Sequence, residues 1–456
     1  MSQHEQTLQR GLKNRHVQLI AIGGAIGTGL FLGSGKSIHL AGPSILFAYI
    51  ITGIFLFLVM RALGELLLSN LNYHSFVDFV KDYFGDKAAF VTGWTYWFSW
   101  VSLAMADLTA VGIYIQFWFP KVPQWLPCLI ALIILVLMNL ATVKLFGEME
   151  FWFALIKVVA IVGLIIVGTF MIIKGFSTDS GPATFANLWS HGGFFPKGIG
   201  GFILSFQMVV FAFVGIELVG LTAGETADPE NVIPKAINSI PIRIIIFYVG
   251  ALIVIMGVYP WNAIIATESP FVQVFSAVGI AAAAGIVNFV VLTSAASAAN
   301  SCCFSTSRMV YTLAKEGNAP KSMGKLNTRS VPSKALFFSA LVIMIAVLLN
   351  YIIPEGVFTL ITSISTICFM FVWIMTILCH IKYVKTRKDL VAKSKFKMPF
   401  APISDYLVLI FFAFVIVVLA LAKDTRIALM FTPVWFIALL LIYKVKENKQ
   451  KIEKND

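Results

Sequence analysis

Twelve stretches of this chain run for roughly 20 residues with almost nothing but apolar side chains, the length a helix needs to cross the hydrocarbon core of a bilayer. They fall near 17–37, 43–68, 89–119, 124–143, 151–173, 199–223, 240–259, 281–304, 335–353, 357–380, 403–422 and 427–443, and are numbered spans one to twelve. Backbone N–H and C=O groups in lipid must be satisfied within the segment, so these stretches are expected to be helices rather than open strands. Composition agrees: charged residues are 12% of the 456, where soluble domains average about 25%. That is too few to cover the surface of a water-soluble globule. A soluble enzyme, a disordered regulator and a nucleic-acid binder with an exposed basic face are excluded, and an all-α integral membrane protein remains.

Lysine and arginine set the expected orientation. Of the 34, 26 fall in the N-tail, the C-tail and the loops on their side, six on the opposite side, and Arg61 and Lys157 within spans. Both termini are therefore expected in the cytoplasm of a cell-membrane protein. Most of the net charge of +12 is topology, with some attraction to anionic headgroups. The first sixteen residues lack a short apolar run with a cleavage pattern, so the first span is expected to insert itself. The loop 174–198 is rich in Gly, Ser, Thr and Asn and is expected to be irregular; 305–334 is a basic, turn-rich connector; FVDFVKDYF (76–84) has the spacing of a short interfacial helix. Cys128, Cys302, Cys303, Cys368 and Cys379 sit in apolar segments as small hydrophobes. No Cys or His spacing suits a metal, and no cofactor is expected.

Two spans carry signs of interruption. Span one holds Gly23, Gly24, Gly27, Gly29, Gly33 and Gly35, and each glycine costs about 1 kcal/mol of helix propensity. The run Gly27-Thr28-Gly29 is denser than helix packing requires, so the centre is read as unwound, against a tightly packed continuous helix. Span six carries FAFVGIE (Phe211 to Glu217), with Gly215 and a carboxylate at mid-span. The interrupted spans open a one-to-five and a six-to-ten block, the placement expected of inverted repeats that meet at a central site. An opened helix exposes amides at one new end and carbonyls at the other. Amides of Thr28, Gly29 and Leu30 can hold a carboxylate, and carbonyls of Phe211, Ala212 and Phe213 an ammonium. An amino acid is the simplest ligand that meets both demands.

Ionisable residues at membrane depth default to functional readings. Arg61 and Glu65, four apart in span two, are expected to form an intrahelical ion pair. Lys157 has no acidic neighbour at i±3 or i±4. It either snorkels to the cytoplasmic end or is buried and exchanges a proton during a cycle, with carbonyls near Gly23 and the hydroxyls of Ser294 and Ser297 as partners. Asp107 in span three lines a ligand site or bonds to a neighbouring helix. Glu217, beside the break of span six, has a gating or ammonium-contact role. Gln207, Asn139 and Asn300 read as interhelical hydrogen-bond glue. His380, closing span ten, is expected to be solvated.

These residues lie in strings that resemble the amino acid transporter branch of the amino acid–polyamine–organocation superfamily. The carrying stretches are IGGAIGTGLFLGSG (22–35), MADLTAVGIYIQFWFP (105–120), NLATVKLFGEMEFWFALIK (139–157), FAFVGIELVGLTAGETADPE (211–230), AINSIPIRI (236–244), NFVVLTSAASAANSCCFSTSRMV (288–310) and TPVWFIALL (432–440). More narrowly the chain looks like members that carry D-serine, D-alanine and glycine. The resemblance implies a fold of two inverted five-helix repeats plus two helices, working by alternating access. It divides the chain into an N-tail (1–16), repeats at 17–173 and 199–383 joined by an extracellular loop (174–198), spans eleven and twelve (384–443), and a C-tail (444–456). It implies substrate contacts at Ala25, Gly27, Thr28, Gly29, Asp107, Phe211, Ala212, Phe213 and Glu217. It places Lys157 where sodium-coupled relatives bind Na⁺, with Gly23, Ser294 and Ser297 around it, and Glu225 as a gate contact.

The function expected is proton-coupled import of small neutral amino acids, with the proton as coupling ion. The alternatives are a permease of the same family for proline, aromatic residues or γ-aminobutyrate, or an amino acid exchanger. A sensor on a transporter scaffold is disfavoured by the short tails. An enzyme is disfavoured by the absence of HExxH or a Ser/His/Asp grouping.

Overall fold

The computed structural model describes residues 26–71, 73, 75–140, 143–218, 228–276 and 281–453. These residues are almost entirely helical, and nine of their helices are long and apolar enough to cross a membrane. Trp125–Asn139 and Gly198–Phe211 are shorter apolar helices. The nine differ from the twelve stretches of the sequence for local reasons. Gly33–Ser69 takes in parts of spans one and two, divided by a 3-10 turn at Gly42–Ser44 where Gly42 adopts φ 61°. Span six stops early at Phe211, and span four, at fifteen residues, is short. The chain is a multi-pass membrane protein.

The expected interfacial helix exists and is joined to span three in the helix Phe76–Gln116. Ser75 starts it with a capping box: the amide of Val77 donates to Ser75 Oγ (3.2 Å), and the amide of Ser75 donates to Asp78 Oδ2 (2.9 Å). Gly85, at φ 82°, breaks the helical path between the interfacial piece and the span. Span eight runs on as far as Lys315, well into the expected basic connector. The loop after span five is more ordered than its composition suggests. It holds a two-residue antiparallel pair, Ser177–Thr178 with Gly181–Pro182, and a 3-10 turn at Phe185–Leu188.

Span three is the central packing element, lying against Ala281–Lys315 and Val357–Thr386. Polar side chains tie the helices together where apolar surface cannot discriminate helix from lipid. Asn139 Nδ2 donates to Asn300 Oδ1 at 2.8 Å. Gln124 Nε2 donates to Asn350 Oδ1 (2.7 Å), and Asn350 Nδ2 donates to Thr109 Oγ1 (2.9 Å). The Nε2 of Gln207 is buried and makes no hydrogen bond among the described residues. All five cysteines are buried and free.

Two expectations near the end of span two are corrected. Arg61 and Glu65 do not pair with each other. Arg61 donates to the carbonyl of Lys397 and, at 2.9 Å, to Asn238 Oδ1, and it stacks 3.7 Å from the Phe396 ring centroid. Glu65 turns inward to His380, which is buried rather than solvated. His380 Nε2 lies 3.2 Å from Glu65 Oε2 and Nδ1 lies 2.8 Å from Asp405 Oδ1, while the amide of Met398 donates to Glu65 Oε2 at 2.6 Å. A doubly protonated ring satisfies both contacts as donor. The local i,i+4 partner loses because two buried carboxylates from spans two and eleven need a shared cation more than an interfacial arginine needs an acid. His380→Leu is therefore expected to destabilise the protein by about 3–5 kcal/mol, read as a lowered thermal unfolding midpoint in detergent. Removal of Arg61, which faces solvent and carbonyls, is expected to cost about 1 kcal/mol.

Candidate functional site

Among the described residues, helical structure in span one begins at Thr28, with Gly27 in an extended conformation before it (φ −135°, ψ −164°). The first turn follows from hydrogen bonding: Leu30 N and Phe31 N both donate to Gly27 O, at 3.1 and 3.2 Å. Leu30's amide, one of three expected to face a ligand, is thus committed within the turn. Thr28 and Gly29 supply the other first-turn amides, which make no backbone hydrogen bond among the described residues.

Span six loses its coil at mid-span, as expected. The helix Gly198–Phe211 ends and the chain continues through tight turns from Ala212 to Glu217, with Gly215 at φ 93°. An L side chain at Gly215 would be strained there. The carbonyls expected to face an ammonium each carry one hydrogen bond already. Val214 N donates to Phe211 O (3.0 Å), Ile216 N to Phe213 O (3.2 Å) and Tyr248 Oη to Ala212 O (3.2 Å). Each carbonyl retains a second lone pair.

The two breaks touch. A methyl group added at Gly29 would stand 2.5 Å from Ala212 Cα, 3.0 Å from its nitrogen and 3.1 Å from Phe211 Cδ1. Only glycine allows the start of the span-one helix to lie on the end of the span-six helix. One turn on, a methyl at Gly33 would meet Met208 Sδ at 2.7 Å. At Gly27 a methyl meets nothing within 4 Å among the described residues.

Charged groups surround this crossing, all buried. Thr28 Oγ1 donates to Asp107 Oδ1 at 2.8 Å, and Cys302 Sγ lies 4.0 Å from Asp107 Oδ2. Asp107 therefore ties span three to the first turn of span one and is 1% exposed. Lys157, also 1% exposed, does not snorkel. It lies within electrostatic reach of Asp107 and of Cys302. Ser297 Oγ donates to Glu150 Oε2 (3.0 Å), and Ser294 Oγ is buried and makes no hydrogen bond among the described residues. Glu217 is buried, with the indole N–H of Trp373 and the backbone amides of Gly215 and Glu217 turned toward its carboxyl group. Gly23, Ala25 and Glu225 lie outside the described residues.

Glu150 was missed from the sequence. It stands seven residues before Lys157, on the same helical face two turns away, and that spacing could have singled it out. Tyr248 gave no signal beyond one hydroxyl in the apolar run IIIFYVG.

Helical, multi-pass and built around a buried crossing of two short helix ends with ionisable groups about it, the molecule has the form of a membrane transport protein. The chain belongs to the amino acid permease family, whose profile matches residues 16–456. It is 73% identical to the uncharacterized transporter YdgF of Bacillus subtilis, the match covering 98% of each chain. It is 71% identical to the amino-acid permease AapA of the same organism (98% of this chain, 96% of the relative). It is 58% identical to the D-serine/D-alanine/glycine transporter of Escherichia coli K12 (95% and 93%).

Gly29→Ala is expected to force spans one and six apart, costing about 1–3 kcal/mol and lowering amino acid uptake by about tenfold or more. Gly27→Ala is expected to keep wild-type stability. Thermal melts of both purified variants, with uptake into cells for Gly29→Ala, check this pair of outcomes.

Proposed function

We propose that the chain is a proton-coupled permease that imports small neutral amino acids by alternating access: D-alanine, D-serine and glycine, with L-alanine and L-serine. The observation that carries this reading is the contact of Gly29 on Ala212. It brings the first amides of one half-helix and the last carbonyls of another to one point inside the protein, with nothing among the described residues filling the space beside Gly27. The amides of Thr28 and Gly29 take the substrate carboxylate, and the free lone pairs at Phe211, Ala212 and Phe213 take its ammonium. Asp107 holds Thr28 and so fixes the carboxylate end. Glu217, fully buried beside the break, answers the ammonium or the gate. The 58% identity to a protein named for D-serine, D-alanine and glycine favours small substrates.

In this reading the twelve spans form two inverted five-helix repeats (17–173 and 199–383) plus two further helices, and both termini lie in the cytoplasm. Ala25 joins the substrate site, Glu225 the gate, and Gly23, Ser294 and Ser297 surround Lys157. Burial of Lys157 supports proton coupling, because an ammonium at membrane depth is costly unless it is paired or gives up its proton. Each charge moved across the membrane is worth about 2.3 kcal/mol per 100 mV, so one co-transported proton sustains a useful gradient of a neutral amino acid.

Proteoliposomes test this directly. Acid outside, without sodium, is expected to drive uphill accumulation of D-alanine, and Lys157→Ala is expected to abolish accumulation while leaving D-alanine binding measurable. Accumulation driven by sodium alone, or a Lys157→Ala variant that accumulates as the wild type does, would contradict proton coupling.

A further inference from the structure

Span seven contains a π-helical stretch, Ile244–Gly250, between the helical turn Ile240–Arg243 and the helix Ala251–Val258. A π-turn inserts an extra residue into an α-helix and is frequent at functional sites, where it sets a side chain at a place a regular helix would miss. Tyr248 lies in this stretch and is 2% exposed. Its hydroxyl donates to Ala212 O at 3.2 Å. Its ring lies flat on Phe213, with centroids 4.8 Å apart and planes 4° from parallel. Tyr49 of span two packs on both rings, at 5.6 Å from Tyr248 and 5.8 Å from Phe213. Two successive residues of span six are thus clamped from span seven, one by a hydrogen bond and one by a stack, where that helix stops.

We propose that Tyr248 is a positioning residue for the substrate's ammonium group. This rests on the reading that the Phe211–Phe213 carbonyls meet that group. The peptide bond is planar, so holding Ala212 O fixes the whole Ala212–Phe213 unit. Tyr248 occupies one lone pair of Ala212 O and leaves the other directed and available. Without the hydroxyl the buried carbonyl would turn back to seek a donor within its own segment, as the carbonyls of Phe211 and Phe213 already do through Val214 and Ile216. The acceptor would then have to be reoriented each time a substrate binds. An acceptor held ready in the free protein avoids that cost, and the saving appears in affinity rather than in the rate of the loaded carrier.

The test is Tyr248→Phe in the full-length protein, which deletes the hydroxyl and keeps the stack. D-alanine is the probe, with calorimetric binding in detergent, initial-rate uptake in proteoliposomes and ligand-free thermal melts. The expected result is a Kd and KM raised about tenfold, with maximal uptake rate and melting midpoint unchanged. Tyr248→Leu, which also removes the stack, is expected to raise KM further. An unchanged KM in Tyr248→Phe would overturn the proposal. So would a fall in ligand-free stability that accompanies loss of both KM and maximal rate, since Tyr248 would then act only on the fold. Wild-type protein that binds no D-alanine would remove the underlying reading and the proposal with it, an outcome distinct from wild-type binding that Tyr248→Phe leaves intact.

Discussion

The approach of Gly29 to the backbone of Ala212 is the contact on which the rest of the site depends. A helix that stops inside a membrane leaves amides and carbonyls that lipid cannot satisfy, so such an end is tolerated only where protein or an internal cavity receives it. Here the start of one helix and the end of another receive each other. The absence of a side chain at Gly29 lets the two backbones approach to a distance that any Cβ would prevent. Opposite helix ends of opposite partial charge then lie side by side.

Side chains from three other spans hold this crossing in place. Asp107 on span three accepts from Thr28, so the first turn of the span-one helix is anchored to the most heavily packed helix of the molecule. Tyr248 and Tyr49, from spans seven and two, clamp the other side at Ala212 and Phe213. Behind the crossing, Lys157 and Glu150 share a buried polar layer with Cys302 and Ser297. At a distance from it, His380 joins spans two, ten and eleven through two carboxylates. Few of these groups face solvent, so each must be satisfied inside the protein for the helices to pack as they do.

Much of this was legible in the residues. Runs of apolar side chains as long as a bilayer is thick admit few readings, and the break of span six followed from Gly215 and Glu217 in an otherwise apolar segment. The Asn139–Asn300 bond followed from the cost of isolated amides among apolar neighbours. Other parts were not legible, for physical reasons that differ. Arg61 and Glu65 stand at the spacing of a helical ion pair, but spacing along one helix says nothing of the carboxylate on span eleven that brings His380 to Glu65. Leu30 was expected to offer its amide to a ligand, yet the turn it belongs to consumes that amide at Gly27. The hydrogen bond from Ser297 to Glu150 was not expected, because nothing in the apolar pattern of span five marks the carboxylate seven residues before Lys157 as a partner for span eight. The role of Tyr248 depends on a π-turn, a departure from helical periodicity that apolar patterning does not encode.

The central claim is that the two helix ends grip opposite ends of one amino acid. A structure of the full-length protein determined with D-alanine bound tests it most directly. The account predicts ligand density between Gly27–Gly29 and Phe211–Phe213, with the carboxylate at hydrogen-bond distance from the amides of Thr28 and Gly29 and the ammonium facing the carbonyls at Ala212. Density elsewhere in the protein, or a bound state in which Phe211–Glu217 has rewound into regular helix, would contradict it.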